Sequence, residues 1–312
     1  MEIDRYNYLN KYLKNKFGER TLKVCVDGGF TCPNRDGNKG TGGCIFCSTL
    51  GSGDNIKYKL SDTLSSIENQ IKCFLSSYRG ERANKFIVYF QSFTNTYDSL
   101  ENLKKKYDVA LNSSDKIVGL EVATRPDCIT DDVAKLLSTY KDKYYVCVEL
   151  GLQTANDDVG DIINRCYSTQ DFINACAILK KYNIDVVSHL MVGLPNEQSQ
   201  DILNTVKVIN DCKCKGIKIH STYVVRNTKL AKMYEMGEYS PITMEYYVEK
   251  VGEIISHLNK DIIVHRITAD PPKDNFIAPD WQLHKKIVLN SINRFLKENN
   301  ITQGCRYSKK QD

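Results

Sequence analysis

Short apolar runs recur along this chain at the spacing of one strand plus one helix, and this repeat restricts the fold more than any other feature. Five runs are rich in β-branched and aromatic residues, which favour strands: 85–91, 117–123, 144–150, 185–191 and 216–219. The segments between them carry apolar residues at helical spacing, and several begin with Ser, Thr or Asp, as helix N-caps do. The alternation predicts an α/β fold, a partial or full parallel (β/α) barrel of about six strands.

Size and composition agree with a folded protein in a reducing compartment. The chain has 312 residues, of which 41% are hydrophobic, so it can bury a full core. Its start is charged and aromatic, and no stretch approaches the roughly 20 apolar residues that span a bilayer. We therefore expect a cytoplasmic protein with no membrane partner. Because cytosolic thiols stay reduced, clustering among the twelve cysteines indicates metal rather than disulfides.

Four polar loops follow consecutive strands of the predicted sheet. They are 91–95, 124–127, 151–154 and 193–197. Each alone is an ordinary turn or a hydrogen-bonded loop. In a parallel sheet, however, all four lie at the carboxyl edge, where barrel enzymes carry their active sites.

A loop rich in Gly, Asn and Asp at residues 26–53 carries three cysteines, Cys32, Cys44 and Cys47. Structural zinc normally has four ligands, whereas three thiolates on an iron–sulfur cluster leave one iron open. The spacing alone leaves both readings open, because a distant Cys or His could complete a zinc site. Thiol redox chemistry at residues 44–47 ranks below them, since the flanking glycines favour a wrapping loop.

Motifs along nearly the whole chain resemble the radical S-adenosylmethionine (SAM) superfamily, and within it the bacterial relatives of the Elongator catalytic subunit. They are GFTCPNRDG with GGCIFC, YFQSFTNTY, EVATRPDCI, VELGLQT, INR, MVGLPNE, KIHSTYVV, HRITADPP and IAPDW. Eleven residues separate the first two cysteines, where the common superfamily pattern is C-x3-C-x2-C, and Elongator-like members also have an enlarged gap. The resemblance implies a barrel of the radical SAM type, a [4Fe-4S] cluster and SAM.

The resemblance also implies roles for individual residues. Cys32, Cys44 and Cys47 would bind three irons, and SAM would chelate the fourth. The loop with Gln91, Thr94 and Asn95 would receive the SAM amino group. Glu121, Gln153 and Arg165 match residues that contact the amino group, ribose and carboxylate of SAM, and a guanidinium can bind a carboxylate through two hydrogen bonds. Two further candidates are His189, near the ribose or substrate, and Tyr223, at the adenine.

The function implied is reductive cleavage of SAM to a 5'-deoxyadenosyl radical, with electrons from an external donor of the flavodoxin or ferredoxin type. Elongator-like relatives act on the wobble uridine of tRNA. The small bacterial branch is associated with its 5-position side chain, at the carboxymethylaminomethyl to aminomethyl stage. No acetyltransferase-sized second domain is evident, so the full Elongator reaction is not expected. A small-metabolite radical SAM enzyme and a zinc-stabilised RNA-binding module remain alternatives.

Basic clusters and 19 tyrosines are compatible with an RNA substrate, although the net charge is only +5. The clusters comprise Lys11, Lys14, Lys16, Arg20, residues 104–106, Lys213, Lys215, Lys218, Arg306, Lys309 and Lys310. Helical lysine runs are more often just solvated surface.

The chain is predicted to divide at about residue 240. Residues 1–240 would form the barrel, and residues 241–312 an α/β extension that closes it. The extension reads as a helix, a strand near 261–267, a Pro-rich loop at 269–279 and a last helix near 284–298.

Overall fold

The computed structural model describes residues 4–51, 56 and 60–308 of the chain. Residues 52 and 53 of the predicted cluster loop lie outside the described residues, as do Lys309 and Lys310 of the predicted basic C-terminus.

Seven parallel strands form one curled sheet in the order β1-β2-β3-β4-β5-β6-β8. The strands are β1 Thr21–Val26, β2 Lys85–Phe90, β3 Ile117–Thr124, β4 Tyr145–Gln153, β5 Asp185–Val192, β6 Gly216–Ser221, β7 Val224–Val225, β8 Ile263–Arg266 and β9 Phe276–Ala278. The sheet curls until Lys23 Nζ on β1 lies 3.3 Å from His265 Nδ1 on β8. This confirms the predicted parallel α/β barrel, in a partial form with seven strands.

Ten α-helices among the described residues surround the sheet, and most of them pack on its convex face. They are α1 Leu9–Phe17, α2 Thr63–Leu75, α3 Leu100–Asn112, α4 Asp131–Ser138, α5 Asp157–Ile162, α6 Thr169–Lys181, α7 Ser199–Asp211, α8 Lys229–Glu235, α9 Met244–His257 and α10 Lys285–Glu298. Side chains such as Asp62, Ser99 and Thr130 cap the first turns by accepting backbone N–H groups. No helix among the described residues has both the length and the apolar character needed to cross a bilayer.

The two faces of the sheet differ in chemistry because side chains alternate along each strand. On β1, Val24 and Val26 are fully buried in the core, whereas Lys23 and Cys25 point to the concave side. The apolar core therefore lies between sheet and helices, and the concave side is left for polar groups.

The C-terminal part of the chain contributes to the same sheet. β8 pairs with β6, as expected for the strand predicted near 261–267. The free edge of β8 is covered by the N-terminal segment, where Val264 donates a backbone hydrogen bond to Asn7. Trp281 packs 5.4 Å from the Tyr247 ring and donates to the Ile242 carbonyl, so its role here is packing.

Candidate active site

The cluster loop follows β1 and is held by its own backbone and by a neighbouring turn. Arg35 N and Asp36 N both donate to the Cys32 carbonyl, at 2.8 and 3.2 Å. Asn34 Nδ2 donates to the Asn164 carbonyl at 2.6 Å, and Asn164 Nδ2 donates to the Gly43 carbonyl at 2.7 Å. The loop is therefore fastened to the segment between α5 and α6.

The three cysteines converge within this loop. The Cys44 and Cys47 thiols are hydrogen-bonded to each other; this bond and burial raise the pKa of Cys44, and the same bond lowers the pKa of Cys47. The charge of Cys32 also acts on Cys47.

The donor set fits an iron–sulfur cluster. It consists of soft thiols, the ligands such clusters take. Closure around one ion, with metal–sulfur bonds of about 2.3 Å, would bring all three sulfurs within about 4 Å of each other. Among the described residues, these three cysteines are not a group whose ligand atoms all lie within 4.8 Å of one another. At least one pair of these sulfurs is therefore farther apart than closure around a single ion requires.

The loop after β2 lies directly beside the cluster loop. Thr94 N donates to the Thr31 carbonyl at 3.1 Å, and Gln91 N donates to Val26 at 3.3 Å. Asn95 is fully buried, and its Nδ2 donates to the carbonyls of Phe90 and Ala123. Asn95 and Thr94 are thus structural members of the predicted SAM loop, while Gln91 is half-buried.

Arg165 is fully buried, and the protein itself satisfies most of its guanidinium. Nη1 donates to the carbonyls of Leu152 and Thr154, at 2.7 and 2.6 Å, and Nε donates to Tyr167 at 2.9 Å. Nη2 lies 2.7 Å from Asp157 Oδ1. The predicted two-bond grip on the SAM carboxylate would require some of these bonds to be exchanged.

A second arginine lies nearer the thiols and was not among the predicted site residues. Arg125 donates to the carbonyls of Arg165 and Cys166, and its charge acts on both Cys44 and Cys32. The Tyr167 ring lies between the two guanidinium groups, 4.7 and 4.8 Å from their central carbons. The Tyr167 hydroxyl donates to Gln153 Oε1 at 2.6 Å, which fixes Gln153 at the end of β4.

The concave face carries a polar network that we call the inner belt, one side chain from each strand of the sheet. Its members are Lys23, Tyr89, Glu121, Glu149, His189, Lys218 and His265. Only Glu121 and His189 were predicted site residues. The sequence does contain a signal for the other five members, because each is a polar residue within a largely apolar strand.

Glu149 is the hub of the inner belt. Its Oε2 accepts from Tyr89, His189 and Lys218 at 2.5, 2.7 and 2.5 Å, and its Oε1 lies 3.1 Å from Lys23 Nζ. Burial opposes ionisation, but the two lysines and His189 outweigh it and hold the Glu149 pKa well below its usual value. Glu149 is therefore the ionised carboxylate of the network.

The pKa of Glu121 is shifted in the opposite direction, above its usual value. Burial raises its pKa to about 8; Lys23, at 2.5 Å, lowers it, and the negative charge of Glu149 raises it further. Glu121, Glu149 and His265 bring ligand atoms within 4.8 Å, but the Lys23 ammonium already supplies a cation there.

We expect Glu121 to make stability fall as pH rises through neutrality. In the unfolded chain the group ionises near its model value of 4.5, whereas in the fold it stays protonated up to about 8. Its contribution is therefore complete below the unfolded pKa and is lost as pH rises through the folded pKa. Urea midpoints at pH 6, 7 and 8 should fall less for Glu121→Gln than for the unchanged protein. The exposed control Glu298→Gln should keep the original slope, and equal slopes for all three would contradict the assignment.

The remaining predicted site residues are His189 on β5 and Tyr223 after β6. The His189 ring lies beside His220 with centroids 5.2 Å apart and planes tilted by 45°, and burial lowers the pKa of His189. Tyr223 is half-buried with its ring 6.3 Å from Phe276, beside the two-stranded β7–β9 sheet.

One predicted basic cluster is corrected by the structure. Lys218 does not belong to a surface patch with Lys213 and Lys215, because it points into the barrel and bonds Glu149. The lysines at 104–106 are on the surface but pair with Asp108, Glu101 and Asp98. The cluster at 104–106 is therefore paired with carboxylates, and the other cluster is reduced to Lys213 and Lys215.

A parallel half-barrel with a three-cysteine loop after its first strand defines the radical SAM class of enzymes. The Radical SAM superfamily model matches residues 35–209, and the Radical_SAM C-terminal domain model matches residues 214–298. The chain belongs to the radical SAM superfamily. It is a radical SAM enzyme whose family uses a [4Fe-4S] cluster and SAM.

Comparison with individual proteins shows similarity to Elongator-like proteins as well as to a full-length bacterial relative. The chain is 38% identical over 303 residues to Uncharacterized protein YtqA of Bacillus subtilis, covering 96% of this chain and 92% of that one. It is 29% identical over 178 residues to the tRNA uridine(34) acetyltransferase of Methanocaldococcus jannaschii, covering 56% and 32%. The fold resembles that of Methanocaldococcus infernus Elp3, with a TM-score of 0.65 at 19% identity over 91% of this chain and 64% of that one.

Proposed function

We propose that this chain shortens the 5-position side chain of the wobble uridine in tRNA, from the carboxymethylaminomethyl to the aminomethyl form. The inner belt is the observation that carries the proposal. A concave face with polar or charged groups from all seven strands is suited to a polar substrate group. The similarity to a protein named for uridine 34 of tRNA supports the choice of substrate.

Cys32, Cys44 and Cys47 would hold the cluster in the loop after β1. When bound, the cluster and SAM would supply a 5'-deoxyadenosyl radical for removal of a hydrogen atom from the side-chain CH2 between nitrogen and carboxylate. With SAM as the two-electron oxidant and water entering at that carbon, the C–N bond would break and the two-carbon unit would leave as glyoxylate. We assign direct SAM contacts to Gln91, Gln153 and Tyr223, which are half-buried at the carboxyl ends of β2, β4 and β6. An external flavodoxin- or ferredoxin-type donor would supply the electrons.

The buried members of the predicted set act through the groups they hold. Arg165 fixes the carbonyls around the end of β4, and Asn95 joins the ends of β2 and β3. Glu121 contacts Lys23 beneath the surface of the concave face. These three would preserve the shape of the site rather than touch SAM.

Nucleoside analysis of tRNA from a strain lacking this gene tests the proposal. We expect 5-carboxymethylaminomethyluridine to accumulate and 5-aminomethyluridine with its derivatives to disappear. The unchanged gene and Cys305→Ser, an exposed cysteine away from the loop, should restore the profile, whereas Cys44→Ala should not. An unchanged wobble-nucleoside profile in the deletion strain would remove the tRNA assignment and favour a small-metabolite substrate.

A further inference from the structure

The charges on the concave face are arranged in depth. The carboxyl groups lie behind, with side-chain exposures of 0% for the ionised Glu149 and 1% for the protonated Glu121. The cations lie in front, with exposures of 16% for Lys23 and 38% for Arg266. A molecule entering the half-barrel therefore meets positive charge first.

Arg266 is the cation best placed to bind a ligand. The lysines are held by carboxyl groups: Lys23 by Glu121 and Glu149, and Lys218 by Glu149. Arg266 stands opposite Lys218 in the sheet register and, within the described part of the chain, makes one ion pair, with Asp270 at 3.2 Å at the rim. A guanidinium has five N–H donors, so this leaves a planar pair for another acceptor.

Two further groups mark the space in front of these cations. Cys25 is an exposed residue on the concave side of β1. Desolvation by its surroundings raises the pKa of its thiol, and the positive charges of Lys218, Lys23 and Arg266 offset part of that rise. His220 Nε2 is a buried atom without a hydrogen-bond partner among the described residues. Burial and the charge of His189 hold the His220 pKa well below its usual value, so its ring is neutral and can accept or donate one bond.

We infer that this concave region, defined by Cys25, Lys218, His220 and Arg266, binds a carboxylate of the substrate, with Arg266 as the direct partner. The inference rests on the proposed function for the identity of that group, which would be the carboxylate of the carboxymethylaminomethyl side chain. Lys218 and Lys23 supply the field behind Arg266, and the low dielectric of the barrel strengthens it. The aminomethyl product lacks the carboxylate and would be released.

The exposed thiol of Cys25 provides a test that needs no tRNA. Iodoacetate and iodoacetamide have nearly the same size, but only iodoacetate carries a carboxylate. The anaerobically reconstituted holoenzyme would be alkylated with each reagent, with and without SAM. Mass spectrometry would give the iodoacetate-to-iodoacetamide rate ratio at Cys25 and, within the same molecule, at exposed Cys305.

We expect the ratio at Cys25 to exceed that at Cys305 by about fivefold, the effect of about 1 kcal/mol of charge attraction. Arg266→Gln should bring the two ratios together, and Arg294→Gln, an exposed arginine on α10, should leave them apart. In the unchanged protein, the difference between the ratios at Cys25 and Cys305 should persist when SAM is bound.

Equal ratios in the unchanged protein, or no labelling of Cys25 by either reagent, would overturn the inference. So would a preference that survives Arg266→Gln or vanishes with SAM, since the latter would assign the cations to the cofactor. A preference that stands while the tRNA profile of the deletion strain is unchanged would reject the tRNA substrate alone. A wobble-nucleoside profile that changes as proposed, together with equal reagent ratios at Cys25 and Cys305, would reject carboxylate recognition alone.

Discussion

Replacing Cys44 by alanine is expected to remove the iron–sulfur cluster and all formation of 5'-deoxyadenosine. A site-differentiated cluster has three protein thiolates, and two cannot hold the cubane against loss of iron. Iron and acid-labile sulfide in the reconstituted protein should fall from about four per chain, as one cluster requires, to well under one. The visible absorption should disappear with them.

The exposed Cys305 provides the matched control for this loss. Cys305→Ser should retain the iron, the colour and SAM cleavage. Retention of four irons by Cys44→Ala, or stoichiometric zinc with no iron in the unchanged protein, would contradict the assignment of the loop.

Replacing Arg165 by methionine is expected to lower the free energy of unfolding by about 3–5 kcal/mol, the cost of breaking a buried, charged hydrogen-bond network. The carbonyls of Leu152, Thr154 and Tyr167 would lose their donors inside the protein. Urea unfolding of the holoenzyme, compared with Arg294→Met on the exposed face of α10, measures the effect.

The same variant separates two roles for Arg165. A scaffold arginine predicts a lower urea midpoint with SAM affinity falling only as the fold weakens. A variant of unchanged stability that binds SAM at least tenfold more weakly would instead support the direct grip on the SAM carboxylate implied by the family resemblance. Equilibrium binding of SAM under anaerobic conditions measures the SAM affinity of the variant.

The sheet could be predicted because the sequence signals for its strands and helices lie within short segments of the chain. Runs such as 117–123 and 185–191 are long enough to form buried parallel strands, and capping residues such as Thr130 and Ser168 mark the helices between them. The cluster loop was also accessible from the sequence, since three cysteines within sixteen residues of a Gly-rich segment restrict the ligand chemistry.

The inner belt could not be predicted as a network because its contacts join distant strands. Lys218 and Glu149 are 69 positions apart, and Lys23 and Glu149 are 126 positions apart. In the sequence, Lys23, Glu149 and Lys218 are isolated charges with no indicated partners. Lys218 is therefore predicted to belong with its neighbours Lys213 and Lys215 on the surface. Only the curl of the sheet, which faces β1, β4 and β6 toward one centre, pairs them.

Arg165 shows the limit of motif reasoning at the site itself. The motif placed an arginine near the end of β4 and the chemistry of guanidinium suggested a carboxylate partner. The segment 154–167, which contains α5, instead folds back so that backbone carbonyls surround the guanidinium. Arg125 follows a different strand and lies within the motif EVATRPDCI, but the motif assigned it no role, and its electrostatic effect on Cys44 depends on the fold.

Conversion of tRNA by the purified enzyme tests the central claim most directly. Anaerobic holoenzyme, SAM and dithionite would be incubated with tRNA from the deletion strain, and the nucleosides and 5'-deoxyadenosine would be quantified together. The account predicts loss of 5-carboxymethylaminomethyluridine, an equal gain of 5-aminomethyluridine, and at least one 5'-deoxyadenosine for each conversion. Formation of 5'-deoxyadenosine with an unchanged nucleoside composition would contradict it.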